Sequence, residues 1–210
     1  MAKTLGWTIC YQAQIGHMKK LLIAFSGFDG TGKSTLAKKI KIYFEGKGFQ
    51  VAYKHAHGYT ISENSFGISK EAVKKYKWML KLASPVVLFD SWITYLFKYK
   101  PILKANILIC DRYFYDKIAR LLYYRVIGLN LAKLYLKLLP KPDYIFVLDL
   151  NENITLLRKK EYSKYQIKRF RTYYKFIADQ LNVPIIPTSS SINKTLEKIL
   201  ITSRINEITK

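Results

Sequence analysis

The chain has 210 residues, of which 50% are hydrophobic and 15% aromatic, and this excludes a largely disordered protein and favours one domain. Its two cysteines, Cys10 and Cys110, are too few for a disulfide framework, so we expect a reducing, cytoplasmic environment. The formal net charge of +22 suits anionic partners, but the basic residues are spread along the chain, which favours a solvated surface over a nucleic-acid interface.

Residues 1–17 are interpreted as an N-terminal extension or a misassigned start, because Met18 leads directly into the first apolar run. They lack the basic region and sustained apolar core of a signal peptide. No apolar run reaches the ~20 residues needed to cross a bilayer. The nearest, at 85–97, contains Asp90 and is interpreted as a buried helix, so we expect no membrane contact and one domain over 18–210.

Residues 27–35, Gly-Phe-Asp-Gly-Thr-Gly-Lys-Ser-Thr, match the phosphate-binding pattern G-x-x-x-x-G-K-[ST] at every fixed position. An apolar run at 21–25 precedes them and helical spacing over 36–44 follows, which predicts a strand, a glycine-rich turn and a helix. The candidate ATP-binding residues are Gly27, Asp29, Gly30, Thr31, Gly32, Lys33, Ser34 and Thr35.

The chemistry of this turn depends on a few of its groups. Glycines let successive backbone N–H groups face phosphate oxygens at a helix N-terminus. Lys33 can reach between the β- and γ-phosphates, and the Ser34 hydroxyl can ligate Mg²⁺. The sequence therefore predicts that the chain binds a nucleoside triphosphate.

The remaining elements alternate between strands and helices. Strands are predicted over 51–54, 106–110, 144–148 and 183–187, the last at a sheet edge because of its prolines. Helices are predicted over 71–83, 84–99, 115–127, 131–139 and 167–181, from residue 154, and from residue 193 to near the end, with a loop over 55–69. The alternation predicts a three-layer α/β domain in which a five-stranded parallel sheet is flanked by helices. Its substrates should lie at the carboxyl ends of the strands.

With these elements placed, the chain resembles the thymidylate kinase family of nucleoside monophosphate kinases. The resemblance runs from Met18 onward and is carried by the glycine-rich turn, Leu88-Phe89, Asp111-Arg112-Tyr113, and Pro142-Asp143 ahead of a strand ending Leu148-Asp149-Leu150. It implies a P-loop NTPase fold and an enzyme of nucleotide biosynthesis. Such an enzyme transfers the γ-phosphoryl group of ATP to dTMP, with Mg²⁺.

The resemblance also implies roles for individual residues. Lys33 and Arg112 would be catalytic, with the Arg112 guanidinium gripping the acceptor phosphate through two hydrogen bonds. Asp111 would hold Mg²⁺ through water, beside Ser34. Asp29 would approach the acceptor sugar, and Phe89 is a candidate to stack on the acceptor base or to pack in the core.

A short lid is implied over residues 158–166. Some family members lack a basic residue at the variable position of the phosphate loop, which is Thr31 here, and supply it from the lid. Arg158 is then the candidate to stabilise charge on the transferring phosphoryl group, with a solvated basic helix surface as the alternative.

The acceptor side departs from the family pattern. Lys54 and His55 stand where the family has an arginine that binds the acceptor phosphate and are the candidates to bind that phosphate here, although neither offers the guanidinium fork. Ile93 replaces an arginine that bonds thymine, while Asp116 and Leu121 replace a serine and a glutamine. Apolar residues at such positions reduce discrimination between bases.

Two alternatives to a dTMP kinase therefore stay open. One is a P-loop kinase with another acceptor, either another nucleotide or a nucleic-acid end, and the other is a nucleotide-binding relative without catalysis. Family members commonly form homodimers through helices beside the acceptor site. The apolar faces of helices 85–99 and 115–127 are candidates for such an interface, or for the core.

Overall fold

A computed structural model describes residues 20–55, 75–103, 107–188 and 191–202. The extension at 1–17, the loop at 56–69 and the start of the helix predicted from residue 71 lie outside the described residues. The strands are β1 Leu21–Gly27, β2 Val51–His55, β3 Ile107–Asp111, β4 Tyr144–Asp149 and β5 Ile185–Pro187. The helices are α1 Lys33–Glu45, α2 Lys77–Thr94, α3 Lys100–Ile102, α4 Phe114–Tyr123, α5 Leu129–Leu138, α6 Glu152–Arg158, α7 Lys164–Leu181 and α8 Ile192–Thr202.

The five strands form one parallel sheet in the order β2-β3-β1-β4-β5, which confirms the predicted α/β architecture. β1 lies in the centre, where Leu21 pairs with Ile107 of β3 and Ile23 pairs with Tyr144 of β4. β5 occupies an edge, as its prolines predict. Because all strands run in one direction, their carboxyl ends meet at the edge where the glycine-rich turn begins.

Alternate residues of the inner strands bury opposite faces of the sheet, as the period of two requires. One face packs against α4, α5 and α7, and its strand residues are Leu22, Ala24, Leu108, Cys110 and Val147. The other packs against α1 and α8, and its strand residues are Leu21, Ile23, Phe25, Ile107, Ile109, Phe146 and Leu148. The continuous apolar runs of β1 and β3 follow from this burial on both sides.

From Lys77 onward, the two helices predicted over 71–83 and 84–99 are one continuous element, so the predicted start of a second helix at Ser84-Pro85 is wrong. α2 runs through Pro85 without a break. A π-helical turn at Tyr95–Tyr99 follows it directly and leads into α3. Pro85 has no N–H to give to the carbonyl of Lys81, four residues earlier. The Ser84 hydroxyl donates to that same carbonyl oxygen at 2.9 Å, so the acceptor is satisfied and the helix continues.

The prediction that the 85–97 segment is a buried helix is also wrong. The side chains of Trp78, Leu82, Val86, Phe89 and Phe97 are 53–75% exposed and form what we call the apolar face of α2. By length and composition alone, the stretch Trp78–Ile102 is apolar enough to cross a membrane, and 22% of its most apolar window is buried. A single helix of this kind is weak evidence for a membrane span, because helices of soluble proteins pass the same test.

Several other helix ends differ from the predicted ones because capping groups set them. α4 ends at Tyr123 in a turn where Arg125 adopts a left-handed conformation (φ 55°) and the N–H of Val126 bonds the Leu121 carbonyl. α6 begins at Glu152 because the Asn151 side chain accepts a hydrogen bond from the N–H of Asn153. α7 begins at Lys164 behind a Ser163–Gln166 capping box, so the lid segment predicted at 158–166 consists of the end of α6, a connection over 159–163 and the start of α7.

Candidate active site

The glycine-rich turn connects β1 to α1 at the carboxyl edge of the sheet. Gly27, Gly30 and Gly32 have φ values of 145°, 83° and 88°, which disfavour side chains. At Gly27 a Cβ atom would also lie 2.5 Å from the Leu148 carbonyl oxygen. Thr31 closes the turn, since its hydroxyl donates to the Phe28 carbonyl at 2.8 Å. The turn therefore has the curled backbone that the phosphate-binding pattern predicts.

Lys33 lies in the turn, with only 5% of its surface exposed. Its Nζ donates to the carbonyl oxygens of Gly27 and Phe28 at 2.7 Å each. Burial, followed by the nearby charge of Arg112, lowers the pKa of Lys33 to about 8, while carboxylates such as Asp116 offset part of the effect. A phosphate group entering the turn would replace these carbonyls as the partners of the ammonium.

Asp111 ends β3 beside the turn, where three donors converge on its carboxylate. Tyr53 donates its hydroxyl to Oδ2 at 2.9 Å, the His55 Nδ1 lies 2.7 Å from the same oxygen, and Ser34 also bonds the carboxylate. Burial alone would raise the pKa of Asp111, but the hydrogen bonds from Ser34, His55 and Tyr53 outweigh it and the pKa is lowered. The group is an ionised carboxylate at neutral pH.

The second oxygen of Asp111 gives a test of whether Mg²⁺ fits. Oδ1 is buried and has no hydrogen-bond partner among the described residues. A buried anionic oxygen without a donor calls for a partner, and a cation or a cation-bound water would be one. The side-chain oxygens of Asp111 and Ser34 are of the type that Mg²⁺ prefers, so these residues fit the ion. Of the two candidates to bind the acceptor phosphate, His55 lies on the same face of the sheet as Asp111. Lys54 points to the opposite face, with Cys110.

Arg112 follows Asp111 in a left-handed conformation (φ 78°), anchored by its N–H on the Phe25 carbonyl at 3.0 Å. Its guanidinium is 16% exposed, and Nη2 donates to the Asp29 Oδ1. The Nε is buried without a partner among the described residues. Burial would lower the pKa of Arg112, but the charges of Asp116 and Asp29 outweigh it, so the pKa is raised and the cation is permanent.

The lid segment lies directly on the glycine-rich turn. Arg158 donates from Nη1 to the Gly30 carbonyl at 3.1 Å, and Tyr162 donates its hydroxyl to the Asp29 Oδ2 at 3.0 Å. The Tyr162 ring also packs edge-on against Phe28, with 4.9 Å between the ring centres. Arg158 is therefore placed beside the turn that would hold a triphosphate, next to the candidate Thr31 position.

Two residues that sequence reasoning missed also shape the site. Asp116 accepts from the Ser26 hydroxyl at 2.8 Å, from the Gly27 N–H at 3.2 Å and from the Tyr174 hydroxyl at 2.7 Å, so its carboxylate ties the end of β1 to α4 and α7. The second missed residue is Tyr162, which bonds Asp29. No local sequence pattern marks the role of Asp116 or of Tyr162, although the sequence does show that Asp116 replaces a serine of the family.

The base-binding candidate Phe89 lies on the apolar face of α2. It is 69% exposed, so core packing is excluded and stacking on the acceptor base stays a prediction. The neighbouring Asp90 turns inward instead and forms a buried ion pair with Lys117 of α4 at 3.1 Å. The carboxyl ends of β1 and β3, by contrast, bring together Lys33, Ser34, Asp111 and Arg112. The lid segment contacts the glycine-rich turn beside them.

Comparison with known proteins agrees with this geometry. The thymidylate kinase family model matches residues 25–199. A probable thymidylate kinase of Sulfurisphaera tokodaii is 30% identical over 190 residues, covering 84% of this chain and 92% of the relative. A thymidylate kinase of Fervidobacterium nodosum is 29% identical, covering 71% and 76%. The solved thymidylate kinase of Ehrlichia chaffeensis has a TM-score of 0.62 at 21% identity, covering 88% and 98%, and so supports the fold.

Proposed function

We propose that dTMP is the phosphate acceptor of this chain, because the chain belongs to the thymidylate kinase family. As a member of that family it is an enzyme, a nucleoside monophosphate kinase that uses ATP as phosphate donor. The alternatives of a nucleic-acid end as acceptor and of a relative without catalysis are not favoured by this membership. The observation that carries the proposal is the convergence of Lys33, Asp111 and Arg112 beside the glycine-rich turn.

In the proposed reaction an oxygen of the dTMP phosphate attacks the γ-phosphorus of ATP. The bond from that phosphorus to the β–γ bridging oxygen breaks, so ADP leaves and dTDP forms without a protein nucleophile. The N–H groups of the turn and Lys33 hold the donor phosphates. Arg112 orients the acceptor phosphate, and its Nε, which has no partner among the described residues, is a donor for it. Arg158, bonded to the Gly30 carbonyl, would stabilise the charge that develops on the transferring group.

Mg²⁺ is part of the proposal, with Asp111 and Ser34 as the residues that would hold it. When bound, the ion neutralises phosphate charge and orients the donor. Tyr53 and His55 contribute by keeping the Asp111 carboxylate ionised and fixed in direction, which leaves Oδ1 turned to the ion.

The experiment that tests the function measures ADP release from Mg·ATP with a panel of nucleoside monophosphates, using Lys33→Ala as the control. We expect dTMP turnover that the control loses. Discrimination against other monophosphates should be weak, since Ile93 and Leu121 offer no hydrogen bonds to a base. Turnover with another monophosphate and none with dTMP would show that the chain is a kinase with a different acceptor. No turnover with any of them, while ATP still binds, would refute the kinase proposal.

We also propose a homodimer through the apolar face of α2. Exposed apolar patches of this size on a monomer usually mark interaction surfaces. The face continues onto α5, because Trp92 donates from its indole to the Leu138 carbonyl at 2.9 Å and both side chains are exposed. Analytical ultracentrifugation should give a dimer for the wild type and a monomer for Leu82→Glu. Ile42→Glu, a matched change on α1, should stay dimeric, and a monomeric wild type would refute the interface.

We also propose a cytoplasmic location. Cys110 is a free thiol in the centre of the sheet, and burial raises its pKa to about 12, so it stays protonated and forms no structural disulfide that would need an oxidising compartment. Cell fractionation with a tagged chain tests this, and recovery in a membrane or secreted fraction would contradict it.

A further inference from the structure

We infer that Tyr162 of the lid segment is a positioning residue that fixes the Arg112 guanidinium through the Asp29 carboxylate. The inference rests on the proposed function, in which Arg112 binds the acceptor phosphate. It gives Asp29 a different role from contact with the acceptor sugar. Through Asp29, the inference connects Tyr162 of the lid segment to Arg112, the residue proposed to bind the acceptor phosphate.

The two oxygens of Asp29 are occupied from opposite directions. Oδ1 accepts from the Arg112 Nη2, and Oδ2 accepts from the Tyr162 hydroxyl at 3.0 Å. Burial alone would raise the pKa of Asp29, but the charges of Arg112 and Lys33 outweigh it and the pKa is lowered. Burial, followed by the Asp29 charge, raises the pKa of Tyr162 to about 12, so the hydroxyl keeps the proton that it donates.

Tyr162 can direct Asp29 because its own position is fixed. The ring packs edge-on against Phe28, and Phe28 in turn packs on Phe170 of α7, with 4.9 Å between ring centres in both pairs. On one side of Tyr162 in the chain, Arg158 is bonded to the Gly30 carbonyl. On the other, the Ser163 capping box starts α7. The hydroxyl therefore points at Asp29 as a result of packing and not from a free loop.

Arg112 needs such support. Within the described residues the hydrogen bond from its guanidinium is to Asp29, while Nε has no partner. A long side chain held at one nitrogen by a single carboxylate takes its direction from that carboxylate. A carboxylate that accepts a second hydrogen bond has fewer accessible rotamers, so the tyrosine hydroxyl reduces the number of directions in which the guanidinium can point.

The test begins with Tyr162→Phe, which removes the hydroxyl and keeps the ring on Phe28. We expect kcat/KM for dTMP to fall about 10-fold, as for the loss of one hydrogen bond to a charged group, with ATP Kd unchanged within about 2-fold. The same chemical change at Tyr43, on the last turn of α1, serves as the control and should leave all constants unchanged. A lid residue with a merely structural role would change ATP affinity instead.

A double-mutant cycle with Asp29→Ala decides whether the effect passes through Asp29. In the Asp29→Ala background the Tyr162→Phe change should cost less than about 2-fold, because the route to Arg112 is already broken. Independent, multiplying effects would overturn the inference, as would a Tyr162→Phe variant with wild-type dTMP kinetics. The Kd for dTMP, measured by calorimetry, repeats the comparison without turnover. A wild type that neither phosphorylates nor binds dTMP would refute the proposed function and this inference with it.

Discussion

Raising the pH from 7 to 9 should weaken ATP binding through one residue, Lys33. The Lys33 ammonium is buried against the carbonyl oxygens of Gly27 and Phe28, and burial, with the charge of Arg112, brings its pKa to about 8 in the nucleotide-free protein. Bound phosphates supply negative charge at short range and restore the pKa towards that of an ordinary lysine. Binding above pH 8 must therefore return a proton to the side chain.

The size of the effect follows from the two pKa values. If the charged form alone binds ATP, the apparent Kd grows as the charged fraction falls, by about 2-fold at pH 8 and about 10-fold at pH 9 relative to pH 7. At pH 9 this corresponds to about 1.4 kcal/mol. Each ATP bound should take up about 0.1 proton at pH 7 and about 0.9 proton at pH 9.

Calorimetry in two buffers of different ionisation enthalpy measures this uptake directly, at pH 7, 8 and 9. Lys33→Arg is the matched control, because its guanidinium stays charged throughout the range and should bind without proton uptake. Uptake that stays near zero from pH 7 to 9 in the wild type would refute the reasoning. Uptake that persists in Lys33→Arg would assign the proton to another group.

Raising the pH should increase the stability of the nucleotide-free protein, although it weakens ATP binding. The pKa of Lys33 is about 8 in the folded protein and near the ordinary lysine value of 10.5 in the unfolded chain, so between these pH values the unfolded chain binds more protons. The free energy of unfolding therefore rises with pH across that window, by about 3 kcal/mol in total from this residue. Urea unfolding of the wild type and of Lys33→Met, compared at pH 7.5 and 10, isolates the contribution.

Three further outcomes are expected. Phe44→Ala should lower the free energy of unfolding by about 3–5 kcal/mol because Phe44 is fully buried, whereas Ile42→Ala, 67% exposed on the same helix, should cost less than about 0.5 kcal/mol in urea unfolding. Gly27→Ala should lose ATP binding, since its Cβ would lie 2.5 Å from a carbonyl oxygen of β4, while Gly128→Ala meets no atom within 4 Å and should bind normally in calorimetry. Tyr53→Phe should raise the Mg²⁺ Kd of the nucleotide complex about 10-fold, measured by Mn²⁺ competition in electron paramagnetic resonance, and an unchanged Kd would separate Tyr53 from the ion.

The sheet and the phosphate-binding turn were predictable because their signals are local. Each inner strand is a short apolar run, and the fixed residues of the turn are adjacent in the chain, so their roles follow from spacing alone. The roles of Asp111 and Arg112 were implied by the family resemblance, and both residues lie where the carboxyl ends of the parallel strands meet. Tyr53 was within reach too, since alternation along β2 places it on the same face as His55.

The errors arose where a distant or unexpected partner changes a local signal. Ser84-Pro85 is typical of a helix start, yet the serine hydroxyl replaces the bond that proline cannot make, and the helix continues. The contacts of Asp29 with Arg112 and Tyr162 were not predicted, because both partners come from distant parts of the chain. The exposure of Phe89 could not be predicted either, because an apolar stripe has the same spacing whether it faces the core or an interface.

The central position of β1 has a consequence for how the chain acquires its activity during synthesis. β1 is the first strand made, but both strands beside it come much later, and the N–H of Leu22 is bonded to the side chain of Asp143, 121 residues further on. Contacts so distant in sequence form slowly, and until they do the apolar residues of β1 remain exposed to chaperones and to aggregation. The phosphate-binding turn begins at Gly27, which pairs with Leu148 of β4, so the turn and the centre of the sheet are completed together and ATP, by binding the folded turn, stabilises the folded sheet over the unfolded chain.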